Sequence, residues 1–275
     1  MSRRWTIPIA TAALALGTSL ALAGPASAST AHHPAAAHLP ASTRVGGFRP
    51  GGLMIRPDGA RRTAGRGRDA TVESTNWSGY AATGANGAFK SVSASWTQPT
   101  ATCSRGDQYA AFWVGLDGYS SDSVEQTGSD SDCDGRTAEY YGWYEMYPAY
   151  PVDYSNPVSP GDSMSASVTF SGSDTYTLVL KDNTKGWTQT QVIDESGLDR
   201  SSAEVITEAP SSSSGVLPLA DFGTVKYSAS TANGTSLGSQ SPTAIIMVDN
   251  SGRDKDSTSS INSSGGFSNT WIRSS

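Results

Sequence analysis

The chain has 275 residues, with 19 Lys and Arg against 25 Asp and Glu, and its formal net charge is −6 at pH 7. No nucleic-acid partner is expected of this acidic chain, because nucleic acid is held mainly through Lys and Arg on its phosphates. The only three histidines are His32, His33 and His38. A domain that begins after His38 contains no histidine. Ser-His-Asp catalysis, Cys-His catalysis and the usual zinc sites are therefore excluded for it, because each of these needs imidazole.

The chain begins with a segment that has the parts of a secretory signal. Arg3 and Arg4 precede an apolar run from Ile7 to Ala23, and Ala26-Ser-Ala28 follows as a small-x-small cleavage site. The run is too short and too rich in Ala and Gly for a membrane anchor, and no later segment is long enough to span a bilayer. Residues 1–28 are therefore predicted to be a signal peptide of a secreted protein, with no membrane partner.

Residues 29–70 form a basic segment between the signal and the rest of the chain. They are rich in Ala, Gly, Pro and Arg and show neither helical nor strand periodicity. Residues 1–70 hold 9 of the 19 basic residues but only 2 of the 25 acidic ones, so residues 71–275 carry a formal charge of −13. A basic segment beside an acidic body is typical of a propeptide held by electrostatic attraction. The other interpretation is an unstructured linker.

Residues 71–275 are enough for one sizeable β domain. Lys90–Thr97 alternates between hydrophobic residues and serines, and Ser163–Phe170 repeats the pattern, so both are predicted to be half-buried strands. Nine more strands are predicted at Gln108–Leu116, Ser123–Thr127, Thr137–Tyr147, Thr175–Lys181, Gly186–Val192, Ala203–Glu208, Phe222–Ala229, Thr243–Asp249 and Asn269–Arg273.

The predicted strands are separated by turns and are not interleaved with helices. Asp117-Gly118, Asp134-Gly135, Pro160-Gly161 and Asn233-Gly234 are typical turn pairs, and no segment shows a helical stripe. The pattern therefore predicts an all-β fold, namely an antiparallel two-sheet β-sandwich. We expect a concanavalin-like or jelly-roll arrangement with a concave substrate cleft, in one catalytic domain over residues 71–275.

The segment Thr137–Pro148 predicts where that cleft lies. Alternation places Glu139, Tyr141, Trp143, Glu145 and Tyr147 on one face of a strand. A core face would exclude the two carboxylates, and a solvent face would not carry three large aromatic residues. This face is interpreted as the floor of a groove that binds something extended. The alternative is an edge strand whose aromatic residues grip a neighbour.

Cys103 and Cys133 are the only cysteines, and a pair in an exported protein predicts a disulfide. Close to Cys133, the acidic segment Asp130–Gly135 begins like an EF-hand calcium loop. Its twelfth position is Tyr141 instead of the required Glu, and no flanking helices are evident. An acidic β-turn is the preferred interpretation and a calcium loop is the alternative, so no metal and no cofactor are predicted.

Without imidazole or a free thiol, carboxylates, amides and hydroxyls are left to carry chemistry. Alternation in Ala203–Glu208 sets Glu204, Ile206 and Glu208 on one face, so either Glu could line the same groove as Glu145. The spacing does not choose between the two, and nothing in the composition singles out Gln126.

Several segments, taken together and in order, resemble the glutamic peptidases, also called eqolisins, and the chain is identified as a secreted bacterial member of this family. The segments are Glu73–Gly79, Phe112–Gly118, Glu125–Asp130, Gly142–Pro148, Ala203–Glu208 and Ala220–Gly223. The resemblance implies a two-sheet antiparallel sandwich with a concave cleft, made as a proenzyme and active in acid. Beyond Tyr227 the resemblance fades.

The resemblance also implies the roles of particular residues. Its catalytic pair, a Gln in a Gln-Thr-Gly segment and a Glu that ends an Ala-Glu-x-x-x-Glu segment, falls on Gln126 and Glu208. After the catalytic Glu the family commonly has Asp-Phe, whereas this chain has Ala209-Pro210, which changes the expected substrate preference there. The implied cleft residues are Trp77, Trp113, Asp117, Asp130, Trp143, Glu145 and Tyr147.

The implied function is that of an acid endopeptidase. Glu208 would take a proton from the attacking water, and the Gln126 amide would stabilise the oxyanion. The expected partners are polypeptide substrates and the chain's own propeptide, and the protein is expected to be a monomer. Two other functions remain open, a β-sandwich carbohydrate-binding module or lectin and a glycosidase with two carboxylates such as Glu145 and Glu208.

Overall fold

The computed structural model describes residues 52–57, 63–64 and 70–275. The predictions for residues 1–28 and for most of 29–70 therefore lie outside the described residues. Within the described part, no helix is long and apolar enough to cross a membrane. Residues 52–57, 63–64 and 70–275 contain nineteen strands and one 3-10 helix, Leu237–Ser239.

Most of the strands form two large sheets, and two short strands pair with each other in a small third sheet. In chain order the first ten are β1 (Thr63–Ala64), β2 (Ala70–Ser74), β3 (Trp77–Thr83), β4 (Ser91–Thr97), β5 (Ala111–Leu116), β6 (Val124–Asp134), β7 (Thr137–Tyr147), β8 (Val152–Asp153), β9 (Ser163–Gly172) and β10 (Thr175–Asp182). The others are β11 (Trp187–Asp194), β12 (Ser202–Glu208), β13 (Ser211–Ser212), β14 (Gly215–Val216), β15 (Thr224–Ala232), β16 (Thr235–Ser236), β17 (Thr243–Met247), β18 (Asp256–Thr258) and β19 (Phe267–Trp271).

One sheet, called here the site sheet, has the order β1-β2-β17-β3-β12-β5-β6-β7-β8. The other, the back sheet, has the order β11-β10-β9-β4-β15-β19-β18, with β16 on β15. The predicted all-β, two-sheet sandwich is confirmed. The pairing is antiparallel throughout both sheets except between β2 and β17, which run parallel.

The alternation in the sequence explains how the two sheets pack. In β4 the buried residues are Val92, Ala94 and Trp96, and the residues between them are more exposed. The corresponding hydrophobic positions of β9 are buried in the same way. These inward faces meet the inner face of the site sheet in the main hydrophobic core. Burying one side of each strand removes apolar surface from water and is the main term that stabilises such a sandwich.

A second hydrophobic cluster lies on the other face of the site sheet. It contains three fully buried tryptophans, Trp77, Trp113 and Trp143, together with Met54 of the segment before the domain. The predicted alternation of β7 is confirmed, because Tyr141 and Trp143 join this cluster while Tyr140, Tyr144 and Met146 of the opposite face pack against the main core. The site sheet is therefore buried on both faces in its central strands.

Strand β6 contradicts one sequence prediction and confirms another. The strand continues through Asp134, so Asp130 and Asp132 are not part of an acidic turn, and that interpretation is wrong. Both carboxyls are buried and accept hydrogen bonds from side chains on β7, which lets the acidic run continue as a strand. The predicted disulfide is confirmed, and it joins Cys133 of β6 to Cys103, with 5.4 Å between the Cα atoms.

Candidate active site

The register of four adjacent strands defines the rows of the candidate site. In the first row Glu208 of β12 lies opposite Ala111 of β5, which lies opposite Asp130 of β6, which lies opposite Tyr141 of β7. Another row lies four residues away along each strand and aligns Glu204, Gly115, Gln126 and Glu145 in the same strand order. The two glutamates that the sequence could not separate therefore lie in different rows.

The row between them is built from tryptophans and a glycine. It aligns Ile206, Trp113, Gly128 and Trp143. A Cβ at Gly128 would lie 2.3 Å from the carbonyl oxygen of Phe112 and 2.5 Å from the Trp113 Cβ, so no larger residue fits this position. The missing side chain makes room for the Trp113 indole in the floor of the cleft.

Glu208 is fully buried and is surrounded by hydrogen-bond donors. Trp113 Nε1 donates to Oε2 at 2.9 Å, while Asn76 Nδ2 and the backbone N–H of Gly52 donate to Oε1 at 3.3 and 3.2 Å. Burial raises the pKa of this carboxyl well above its ordinary value, and the charge of Glu145 raises it further. The three donors act in the opposite direction, because they favour the ionised form.

Gln126 is held by one of the acidic residues of the aromatic strand. Its Nε2 donates to Glu145 Oε2 at 2.7 Å, and both side chains are fully buried. The negative charge of Glu145 also raises the pKa of Glu208. Glu145 therefore interacts with both residues of the predicted catalytic pair, Gln126 and Glu208. Among the described residues, the Gln126 Oε1 atom has no hydrogen-bond partner.

Asp130 lies in the Glu208 row, two strands away from Glu208. Trp143 Nε1 donates to Asp130 Oδ1 at 2.5 Å, and the Tyr141 hydroxyl oxygen lies between the two carboxyls, 2.9 Å from Asp130 Oδ2 and 2.7 Å from Asp132 Oδ2. Burial raises the pKa of Asp130, and the neighbouring charge of Asp132 raises it further. The structure thus brings together Asp130 of the Glu208 row and Trp143 of the row beside it.

Asp117, Trp77 and Tyr147 occupy the borders of the site. Asp117 directly follows β5 and has a φ of 70°, and its carboxylate accepts hydrogen bonds from the backbone N–H groups of Arg200 and Ser201, so it anchors the loop before β12. Trp77 packs edge-on against Trp113, with 4.9 Å between the ring centroids. Tyr147 is half-buried and packs against the same cluster.

A second group of buried carboxyls lies at the Glu204 end. Burial, followed by the charge of Asp117, raises the pKa of Glu125 to about 9. Burial also raises the pKa of Glu204, with smaller contributions from Asp117 and Glu125. The described residues contain no group of three or more His, Cys, Asp or Glu that could hold a metal ion.

These carboxyls predict that the folded protein loses stability as the pH rises. The folded state holds protons on Glu125 and Glu204 more tightly than the unfolded chain, whose glutamates titrate near 4.5. The stabilising contribution of each carboxyl is complete below that pH and is lost as the pH rises, for Glu125 through its folded-state pKa of about 9. Between these two pH values each pH unit costs about 1.4 kcal/mol for Glu125, and Glu204 adds a cost in the same direction. Urea unfolding from pH 4 to pH 8 measures the slope, and Glu204→Gln, which cannot ionise, should make it shallower. An equal slope in both proteins would contradict this prediction.

An extended segment of the chain itself lies in the cleft. Gly52 reaches Glu208 through its N–H, and Met54 is buried in the aromatic cluster next to Trp113. The residues that hold this segment include Asn76, which precedes β3 and which the sequence analysis did not single out. Asn76 lies inside the segment Glu73–Gly79 that carries the family resemblance. This position was the one feature of the sequence that could have pointed to Asn76 as a site residue.

The fold and the site together define a β-sandwich protein with a buried carboxyl and amide in an aromatic cleft that holds an extended polypeptide. Residues 75–271 match the Peptidase A4 family. The chain belongs to this family.

Individual relatives agree with this assignment. The chain is 30% identical over 143 residues to Aspergillopepsin-2 of Aspergillus niger, a match that covers 50% of this chain and 51% of the relative. The chain thus spans about half the length of this curated relative. A scytalido-glutamic peptidase structure with a transition state analog inhibitor superposes with a TM-score of 0.62 and 29% identity, over 72% of this chain and 98% of the other. The aspergilloglutamic peptidase structure from Aspergillus niger gives a TM-score of 0.52 and 26% identity, over 60% of this chain and 99% of the other.

Proposed function

We propose that this chain is a secreted glutamic endopeptidase that hydrolyses peptide bonds in acid. The observation that carries the proposal is the contact between the buried carboxyl of Glu208 and the backbone N–H of Gly52, in a cleft that holds an extended polypeptide segment. The A4 family assignment supports the same reaction. The inhibitor named with the scytalido-glutamic peptidase structure indicates that a relative of this fold binds a transition state analog.

The proposed reaction begins with ionised Glu208. It takes a proton from a water molecule, whose oxygen forms a bond to the scissile carbonyl carbon and gives a tetrahedral intermediate with an oxyanion. When the C–N bond breaks, protonated Glu208 returns the proton to the leaving amine. The hydrogen bond from Gly52 fits this last step, because a backbone nitrogen lies within 3.2 Å of Glu208 Oε1.

The amide of Gln126 is the proposed oxyanion donor. An amide nitrogen carries two hydrogens, and Glu145 accepts one of them. The carboxylate of Glu145 thereby orients the amide nitrogen, and the second hydrogen can point to the oxyanion. Such a preorganised donor stabilises charge that exists only in the intermediate, so it raises the rate without tightening substrate binding.

The pKa of Glu208 is raised in the state in which residues 52–57 occupy the cleft. Burial is its main cause, and residues 52–57 are part of what covers the carboxyl. Departure of this segment admits water, which stabilises the ionised form and lowers the pKa toward the ordinary range of a glutamic acid. In that range Glu208 can act both as base and as acid at acidic pH.

We propose further that residues 29–70 are a propeptide that blocks the cleft through its segment 52–57. The main chain of this segment forms hydrogen bonds with backbone groups and with the side chains of Glu208 and Asn76. Its other described contacts are the buried Met54 side chain and the guanidinium of Arg56, which lies 5.1 Å from the centre of the Tyr119 ring. The attraction between the basic leader and the acidic body would add to these contacts and would weaken in acid or in high salt.

Met54→Asp is expected to release the cleft before any acid treatment. It replaces a buried apolar side chain, whose burial is worth about 1.5–3 kcal/mol, by a charge. The uncleaved variant should therefore hydrolyse a peptide roughly tenfold or more faster than the uncleaved wild type. The control is Ile55→Asp, which adds the same charge at the next position. Ile55 is 39% exposed, so this substitution removes little buried apolar surface. Equal initial rates for the two variants would contradict this role of Met54.

Incubation with a denatured protein at acidic pH tests the proposed activity directly. Acid-treated chain should release new peptide termini and should neither release reducing sugar nor bind to a polysaccharide column. Sugar release would favour the two-carboxylate glycosidase, and binding without any hydrolysis would favour a carbohydrate-binding module.

A further inference from the structure

Asn76 uses every hydrogen-bonding position of its side chain at the cleft. Its Oδ1 accepts from the N–H of Ile55 at 2.8 Å and from the Ser74 hydroxyl at 2.9 Å. Its Nδ2 donates to the carbonyl of Leu53 at 3.0 Å and to Glu208 Oε1 at 3.3 Å. The residue lies between β2 and β3 and is fully buried.

These contacts are made to the main chain of the bound segment. The C=O of Leu53 and the N–H of Ile55 are the groups that an extended peptide offers to a neighbouring strand. The adjacent backbone continues the pattern, because the N–H of Thr75 donates to the Ile55 carbonyl at 2.8 Å. On the other edge the N–H of Met54 donates to the carbonyl of Gly118 at 3.2 Å. Any polypeptide without Pro at the donating positions could form the same bonds.

We infer that Asn76 binds the main chain of polypeptide substrates in the cleft and holds Glu208 in position at the same time. The inference rests on the proposed peptidase function and adds to it a positioning residue next to the base. A peptide that bonds to both Oδ1 and Nδ2 fixes the plane of the amide. The second hydrogen of Nδ2 then points at Glu208, so correct seating of the substrate orients the base.

The surroundings of Glu208 define how Asn76 acts on it. The charged group whose field acts on Glu208 is Glu145 of β7, and the neutral Trp113 of β5 donates to its other oxygen. The ammonium group of Lys255 faces the Asn76 loop from the side and donates to the Thr75 carbonyl at 3.4 Å. Asn76 is thus a neutral donor that favours the ionised form of Glu208 against the repulsion from Glu145.

Two substitutions test the acceptor and the donor of the Asn76 side chain. Asn76→Ala removes both, whereas Asn76→Asp keeps an acceptor for the Ile55 N–H and replaces the donor to Leu53 and Glu208 by a second carboxyl. In the intact, uncleaved chain, amide exchange at Ile55 should be about tenfold faster in Asn76→Ala and less affected in Asn76→Asp. This measurement does not depend on activity.

Kinetics of the acid-treated proteins test the second contact. Asn76→Ala should raise KM for peptides by about tenfold or more, because two main-chain hydrogen bonds are lost. Asn76→Asp should move the acid limb of the pH profile of kcat/KM upward by about one unit or more, because two adjacent carboxyls resist double ionisation.

The matched control is Asn269→Ala, which truncates another fully buried Asn on β19 of the back sheet, where its Nδ2 donates to Ser78. It should change stability but neither the exchange at Ile55 nor the acid limb. Unchanged Ile55 exchange in Asn76→Ala, or an unchanged acid limb in Asn76→Asp, would overturn the inference. A wild-type chain without acid proteolysis would instead contradict the proposed function, and the exchange measurement alone would then decide whether Asn76 binds a polypeptide main chain.

Discussion

Replacing Glu208 by Gln is expected to reduce acid proteolysis to background while the fold survives. Gln has nearly the same size and can keep the hydrogen bond from Trp113, but it cannot accept the proton of the attacking water. Loss of a general base costs about 10²–10⁴ in rate, and here the same group also supplies the proton to the leaving amine, so the upper end is expected. The measurement is the release of peptide termini from a denatured protein in acid, with circular dichroism and urea unfolding to verify the fold.

The control for this experiment is Glu204→Gln, four residues earlier on the same strand. Glu204 is equally buried and its pKa is also raised, but it lies in the row of Gln126 instead of the row that contacts the bound segment. The variant should keep substantial activity. If Glu204→Gln is inactive while Glu208→Gln remains active, the base has been assigned to the wrong glutamate. If both remain active, the glutamic mechanism is wrong.

Replacing Gln126 by Ala is expected to lower turnover by about 10²–10³, as removal of one oxyanion donor does elsewhere. The loss should appear in kcat with little change in KM, because the proposed hydrogen bond forms only when the oxyanion develops. Chelators, thiol reagents and serine-directed reagents should leave wild-type activity unchanged. Steady-state kinetics on acid-treated protein provides the measurement.

Gln98→Ala provides a matched control for the loss of a buried amide. Gln98 is almost completely buried on the inner side of β6, where its Nε2 donates to the Asp130 carbonyl and to Ser131. This variant should be less stable than the wild type, but its kcat should change little. A fall in kcat equal to that of Gln126→Ala would mean that packing around β6, and not an oxyanion donor, explains the effect of Gln126.

Short-range regularities of the sequence were enough to predict the fold class. The alternation in Lys90–Thr97 and Ser163–Phe170 has the period of a strand, and the structure buries the hydrophobic positions that it predicts. The two faces of β7 and the Cys103–Cys133 disulfide were predictable for similarly local reasons. The strands at Trp77–Thr83 and Asp256–Thr258 were missed, because one is buried on both faces and the other is only three residues long.

The sequence also narrowed the candidate site, although the final choice of residues depended on tertiary structure. Period-two alternation placed Glu204 and Glu208 on one face, and local spacing cannot rank two equivalent positions. The family resemblance selected Glu208, and the register across β5 and β6 separates the two glutamates into different rows. The burial of Asp130 in a continuous strand was missed because its partners, Tyr141 and Trp143, come from the next strand.

Local patterns in the sequence predict the all-β class, the disulfide and the acidic, aromatic face of β7, and residues 71–275 contain no histidine. The position of residues 52–57 against Glu208, and the role of Asn76 in connecting the two, follow from the folded chain alone. The cause is the distance along the chain. Gly52 and Glu208 are 156 residues apart, and their contact forms only after β3, β5 and β12 have paired and placed the donors around one carboxyl.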